Sequence, residues 1–138
     1  MIVFAAVLAA SCAIAAAATW SVALQSSSSG QGQSQAAPLA PTGPTAVCVS
    51  GASQTVRIGW TAVAHAASYA IYASTSGSSG TYSLLQGGVT SNPYTTASLG
   101  QGTYYFEIAA LVGTNWPGAK SVATSPGRTI RTSGTRCA

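Results

Sequence analysis

Catalytic chemistry needs acids, bases or nucleophiles in combination, and this sequence holds few of them. Glu107 is the sole acid, there is no aspartate, and His65 is the sole histidine. General acid/base catalysis takes a pair of positioned titratable groups, and a nucleophilic triad takes a base with an orienting partner. One glutamate and one histidine do not furnish either set, so the sequence reads as non-enzymatic and without a cofactor. A structural zinc site takes four Cys or His ligands at paired spacing. His65 with two cysteines lacks that pairing, so no metal is predicted and His65 reads as a loop residue. The cations are Arg57, Lys120, Arg128, Arg131 and Arg136, giving a net charge of +4 crowded towards the C-terminus. Such a cluster attracts polyanions, but no aromatic interleaving or nucleic-acid motif accompanies it. Nucleic acid is therefore not an expected partner, and the basic residues read as solubility for a chain with almost no other charge.

The elements that position these residues are constrained by composition. Charged residues make up 4% of the chain, against about 25% in ordinary soluble domains. Ser, Thr, Gly and Gln must wet the surface instead, a composition more usual in secreted and surface-assembled proteins than in cytosolic ones. At 138 residues the chain suits one ordinary domain plus an extra segment.

That extra segment comes first. From Met1 to Leu24 the residues are apolar on every face, broken only by Ser11, Thr19 and Ser21. A helix of that length would be about 36 Å long, enough to cross a hydrocarbon layer of about 30 Å. No charged side chain precedes Arg57, so the basic n-region of a signal peptide and the basic flank of an oriented anchor are both missing. Pairs of small residues four apart, Ala6 with Ala10 and Ala9 with Ala13, let helix backbones approach closely. Cys12, within the same stretch, reads as a small buried residue. The segment resembles the N-terminal helix of mature type IV pilins, archaeal-type or Tad-like in particular. One departure is Ala5, where many bacterial pilins carry glutamate; archaeal-type pilins commonly lack that glutamate. The resemblance implies helices bundled into a filament core, with the membrane as their location before assembly.

Residues 25–40 are rich in Ser, Gly, Gln and Pro, lack apolar periodicity and read as a tether. If flexible, it would span roughly 20 Å. Beyond it the period becomes two. Val56, Ile58 and Trp60 alternate with polar residues, as do Tyr104, Phe106, Ile108 and Ala110 with their neighbours, and such alternation predicts half-buried strands. Shorter strands are predicted at 45–49, 68–73, 82–85, 94–97 and 120–124, separated by Gly, Ser, Asn and Pro clusters at sandwich-like spacing.

From about Pro41 to Ile130 the chain resembles a fibronectin type III domain. The matching positions are Pro44, Trp60, Tyr69, the run Leu99, Gly102, Thr103 and Tyr104 leading into Phe106, Ile108 and Ala110, and then Asn115, Gly118 and Ser121. The interval from leucine to tyrosine is shorter than the family pattern and the corner proline is replaced. The resemblance implies a mostly β chain, a seven-stranded sandwich behind one long N-terminal helix, with residues 131–138 as a basic tail. In that fold Cys48, in the first strand, and Cys137, just beyond the last, lie near enough to form a disulfide if the tail folds back. The loop from Gly113 to Ala119 corresponds to one that often carries binding contacts in this family, so Trp116 is a candidate contact. Together the two resemblances imply a self-assembling, extracellular pilus-like subunit that serves adhesion. The alternative is a secreted or membrane-anchored fibronectin type III binding module whose first segment is a signal or anchor.

Overall fold

The computed structural model describes residues 37–113 and 116–138. The expected N-terminal helix with Ala6, Ala9, Ala10, Cys12 and Ala13, the first part of the tether, and Asn115 lie outside them. The described residues are mostly β and form two sheets. In chain order the strands are β1 (Thr42–Cys48), β2 (Val56–Thr61), β3 (Ser68–Ser74), β4 (Ser83–Val89), β5 (Tyr94–Thr95), β6 (Gly102–Val112), β7 (Trp116–Lys120) and β8 (Arg128–Ile130). One sheet has the order β1-β2-β5; the other runs β4-β3-β6-β7, with β8 also paired to β6.

Alternation along β2 and β6 sends one set of side chains between the sheets. Val56, Ile58, Ile71, Phe106, Ile108, Ala110 and Ile130 are fully buried there, and burying each of the larger ones stabilises the fold by about 1.5–3 kcal/mol. Trp60 packs on Tyr69 with ring centroids 4.9 Å apart. Tyr69 also accepts a hydrogen bond from the Val63 amide at 2.9 Å, which ties the β2–β3 turn to the core. Tyr104 continues the inner row, stacked beside Phe106 at 6.2 Å. The fully buried proline is Pro41, whereas Pro44, the position matched by resemblance, lies partly exposed in an irregular stretch of β1.

The strands of the C-terminal third differ from the prediction. A strand over 120–124 is predicted, but regular pairing ends at Lys120 and resumes only at Arg128, so the described strands number eight. The cause is the hydroxyls. The Ile108 amide donates to Ser121 Oγ and the Phe106 amide to Thr124 Oγ1, each at 3.0 Å. Side-chain oxygens thus take the place of the carbonyls that a continuing strand would offer. The Ser121 and Thr124 amides still donate to the Ile108 and Phe106 carbonyls. β5 stops at Thr95 in the same way, because the Val56 amide donates to Thr96 Oγ1 at 3.1 Å. Thr96, Ser121 and Thr124 are themselves buried, so these hydroxyls settle backbone groups that would otherwise be costly to bury. The expected loop from Gly113 to Ala119 is also corrected: Trp116 to Lys120 form β7, at a sheet edge, where Pro117 is tolerated because no ladder donor is demanded on its open side.

Candidate functional site

The strand register sorts the connections into two ends. Thr42 pairs with Thr61, Ser68 with Leu111, Tyr69 with Val89 and Val112 with Trp116. The first described residues, the β2–β3 and β4–β5 connections and the β6–β7 hairpin therefore share one end, called here the entry pole. At the opposite pole lie the β1–β2 hairpin, the stretch before β6, β8 and the C-terminal residues, knitted by bonds from Leu99 N to Gln54 O and from Arg136 N to Gly51 O.

The entry pole is apolar. An open groove of about 380 Å³ is lined by Ala37, Pro38, Leu39, Val63, Ala64, His65 and Val112. Leu39 is 79% exposed and Trp116 72%. Trp116 pairs directly with Val112, and paired residues project to the same face; Val112, which continues the inward parity of Ile108 and Ala110, lines the groove, whereas Trp116 is not among the lining residues. His65 adopts a left-handed backbone with φ of 62° and stands exposed on the turn. Gly118 permits the approach of the entering chain, because a Cβ there would collide with the Pro38 carbonyl and ring. No Asp, Glu, Lys or Arg lies among the residues of this pole.

Charge sits elsewhere. Glu107 and Lys120 face outward on the β3-β6-β7 sheet and form an ion pair at 3.5 Å. The Lys120 ammonium lies 4.1 Å from the Tyr72 ring centroid and 5.8 Å from that of Tyr82, a geometry that attracts a cation through the ring faces. Burial, then the Glu107 carboxylate and Tyr105, push the Tyr82 phenol above its usual range. With Lys120 balanced by Glu107, the net charge of +4 rests on Arg57, Arg128, Arg131 and Arg136. These gather towards the opposite pole. Arg57 stands on the outer face of β2 across from Val47 and Thr95. Arg128 donates through Nε to the Ala46 carbonyl at 2.6 Å. The Arg131 amide donates to the Arg136 carbonyl.

Residues 131–138 are not a detached tail. Ile130 bridges to Cys137, and Thr129 and Ala138 exchange amide-to-carbonyl bonds. Cys48 and Cys137 are joined by a disulfide across a Cα separation of 5.6 Å, closing 89 residues of chain. Among the described residues no group of three or more His, Cys, Asp or Glu side chains is placed to hold a metal ion. Composition did not single out the Tyr72, Tyr82, Glu107 and Lys120 cluster. Only the pairing of four separate chain positions on one face assembles it, although the presence of a single acid already made Glu107 conspicuous.

No protein-family model matches the chain, and no curated protein is similar to it. Among solved structures it is similar to the crystal structure of a Fn3-like protein from Clostridium thermocellum, with 30% sequence identity and a TM-score of 0.56, over 64% of this chain and 90% of that one. The two-sheet architecture, the inward rows of β2 and β6 and this likeness agree, and the chain belongs to the Fn3-like proteins.

Proposed function

We propose that this protein is the structural subunit of an extracellular, type IV pilus-like filament, in which the apolar segments form the core and the Fn3-like domains coat the outside and serve adhesion. The observation that carries the reading is the joining of an uncharged apolar segment, Met1–Leu24, to a compactly closed Fn3-like domain that holds all of the chain's few charged side chains. Sheltering the apolar segments from water among their own copies supplies the driving force, at about 25 cal/mol per Å² of apolar surface kept from water, while their transfer from lipid rests on close packing at small residues such as Ala6 and Ala10. The domain supplies lateral contacts and a displayed surface. In this reading the protein is not an enzyme, holds no cofactor, and is inserted in the membrane before it assembles with itself.

The test is the non-reduced intact mass of the protein in a membrane-free fraction sheared from the cell surface. A mass for residues 1–138 supports the filament, because an exposed apolar segment outside a bilayer is sheltered only by assembly. A mass beginning near Leu24 overturns it. That outcome favours a second reading, a secreted or anchored Fn3 binding module, to which the exposed Trp116 at the entry pole also lends itself.

A further inference from the structure

The outer face of the β4-β3-β6-β7 sheet carries two features side by side that the fold itself does not require. The first is an open trough of about 200 Å³. Ala70 and Leu111, both buried, form its floor; Tyr72 and the exposed Leu84 stand on one side and Pro117 on the other. Gly87 and Gly88 border it where the register of β4 against β3 slips, and such bulges gather beside binding sites. A Cβ on Gly87 would meet nothing within 4 Å, so packing does not ask for glycine there, and its missing side chain keeps the trough open. The second feature is a balanced polar pair that shares Tyr72 with the trough. Lys120 on β7 reaches across β6 to lie 4.1 Å from the Tyr72 ring centroid on β3 and pairs with Glu107 at 3.5 Å. An ammonium has three donors and a carboxylate about four acceptor positions, so one ion pair leaves both kinds to spare while their charges cancel.

We infer that this face is a binding site for a neutral polysaccharide, which lays one sugar ring in the trough with its hydroxyls against Lys120 and Glu107. Every residue involved belongs to one domain, so the inference goes beyond the assembly reading and does not depend on it. Three properties select the ligand. A sugar ring has apolar C–H faces and a rim of hydroxyls that both donate and accept. Tyr72, Leu84 and Pro117 offer apolar and aromatic surface to the faces, and the ion pair offers charge-assisted bonds to the rim. Because the pair is balanced, an anionic polymer meets Glu107 and a cationic one meets Lys120, whereas a neutral polyol meets no like charge. The trough lies below the about 300–1,000 Å³ of sites that enclose a drug-sized ligand and is open, which suits a single ring of a chain that continues over the sheet. An extended peptide would pair along the β4 edge instead, and there the slip beside Gly87 and the left-handed backbone of Gly88, with φ of 66°, interrupt the ladder.

The experiment uses the full chain in a zwitterionic detergent, which presents no sugar headgroup, and measures its affinity for dextran, mannan, galactan and soluble fragments of cellulose and chitin, with polygalacturonate as the acidic comparison. At least one neutral glycan is expected to bind, with an affinity that changes less than about twofold between roughly 0.05 and 0.5 M salt, because no net charge is recognised. Tyr72→Ala, Lys120→Met and Leu84→Arg are each expected to weaken that binding about tenfold or more. Arg57→Ser, on the outer face of the other sheet, is expected to leave it unchanged. Protection of the Cys48–Cys137 bond from alkylation reports folding of each variant, and Leu84→Arg, at a position 60% exposed, keeps the test decisive if Tyr72→Ala does not fold. The inference is overturned if no neutral glycan binds, if folded Leu84→Arg binds as tightly as the wild type, or if binding is confined to polygalacturonate. Any of these leaves the assembly reading standing, and a mass beginning near Leu24 leaves this inference standing.

Discussion

Thr124→Val isolates the hydroxyls that end the regular strands. Thr124 is 1% exposed, and its Oγ1 accepts the Phe106 amide at 3.0 Å inside the core, where Phe106 is fully buried. Valine keeps the shape of threonine, so the substitution removes an acceptor without opening a cavity. A buried amide left without a partner costs about 1–3 kcal/mol, while the added methyl group returns up to about 0.8 kcal/mol of burial. The net loss then lies between about 0.2 and 3 kcal/mol, centred near 1–2 kcal/mol, and each kcal/mol lowers Tm by roughly 4–8 °C for a domain of this size. Guanidinium titration of the full chain in mild detergent, followed by tryptophan fluorescence, reads the change as a lower midpoint at constant slope. Thr103→Val is the control. Its Oγ1 bonds only to Thr129 Oγ1 at 3.0 Å in a partly exposed setting, so its loss is expected to stay within about 0.5 kcal/mol. Equal midpoints for Thr124→Val and the wild type would refute the claim that the hydroxyl carries a backbone donor.

Replacing Cys48 and Cys137 together by serine releases a closure of 89 residues, which in the chain-entropy model removes about 4–5 kcal/mol; a denaturation midpoint that is insensitive to reductant would contradict this. Gly118→Val sets a side chain against the Pro38 carbonyl and ring, so it is expected to cost about 1–3 kcal/mol of overpacking and to speed proteolysis at Leu39; an unchanged cleavage rate speaks against the close approach. Tyr82 holds its proton more tightly in the folded state, because burial and the Glu107 carboxylate both disfavour the phenolate. Its contribution is therefore present below the ordinary tyrosine range of about 10 and is lost as pH rises through the higher folded value. Tyr82→Phe should flatten that part of the alkaline stability profile, and an identical profile in the variant would dismiss the assignment.

Much of the fold is legible because some signals are local. Alternation at Val56, Ile58 and Trp60 and at Phe106, Ile108 and Ala110 announces which face of each strand is buried, whatever the partner. The hydroxyl-rich composition announces a surface wetted without charge. It does not announce that Thr96, Ser121 and Thr124 turn inward to hold backbone amides, because a threonine in a strand and a threonine that ends one are the same residue in sequence. The candidate site was harder still. Trp116 stood out by type, but its pairing with Val112 depends on a hairpin whose register is set across two strands.

Sequence alone determined the scarcity of acids, the apolar opening segment and the inward rows of β2 and β6, since each follows from composition or from neighbours along the chain. Tertiary structure alone decided that the C-terminal residues return against β8, that Lys120 meets Glu107, Tyr72 and Tyr82, and that one pole is apolar while the arginines gather towards the other. These are contacts between residues far apart in the chain, fixed by how two sheets share one core, and no local pattern encodes which distant partner a strand will find.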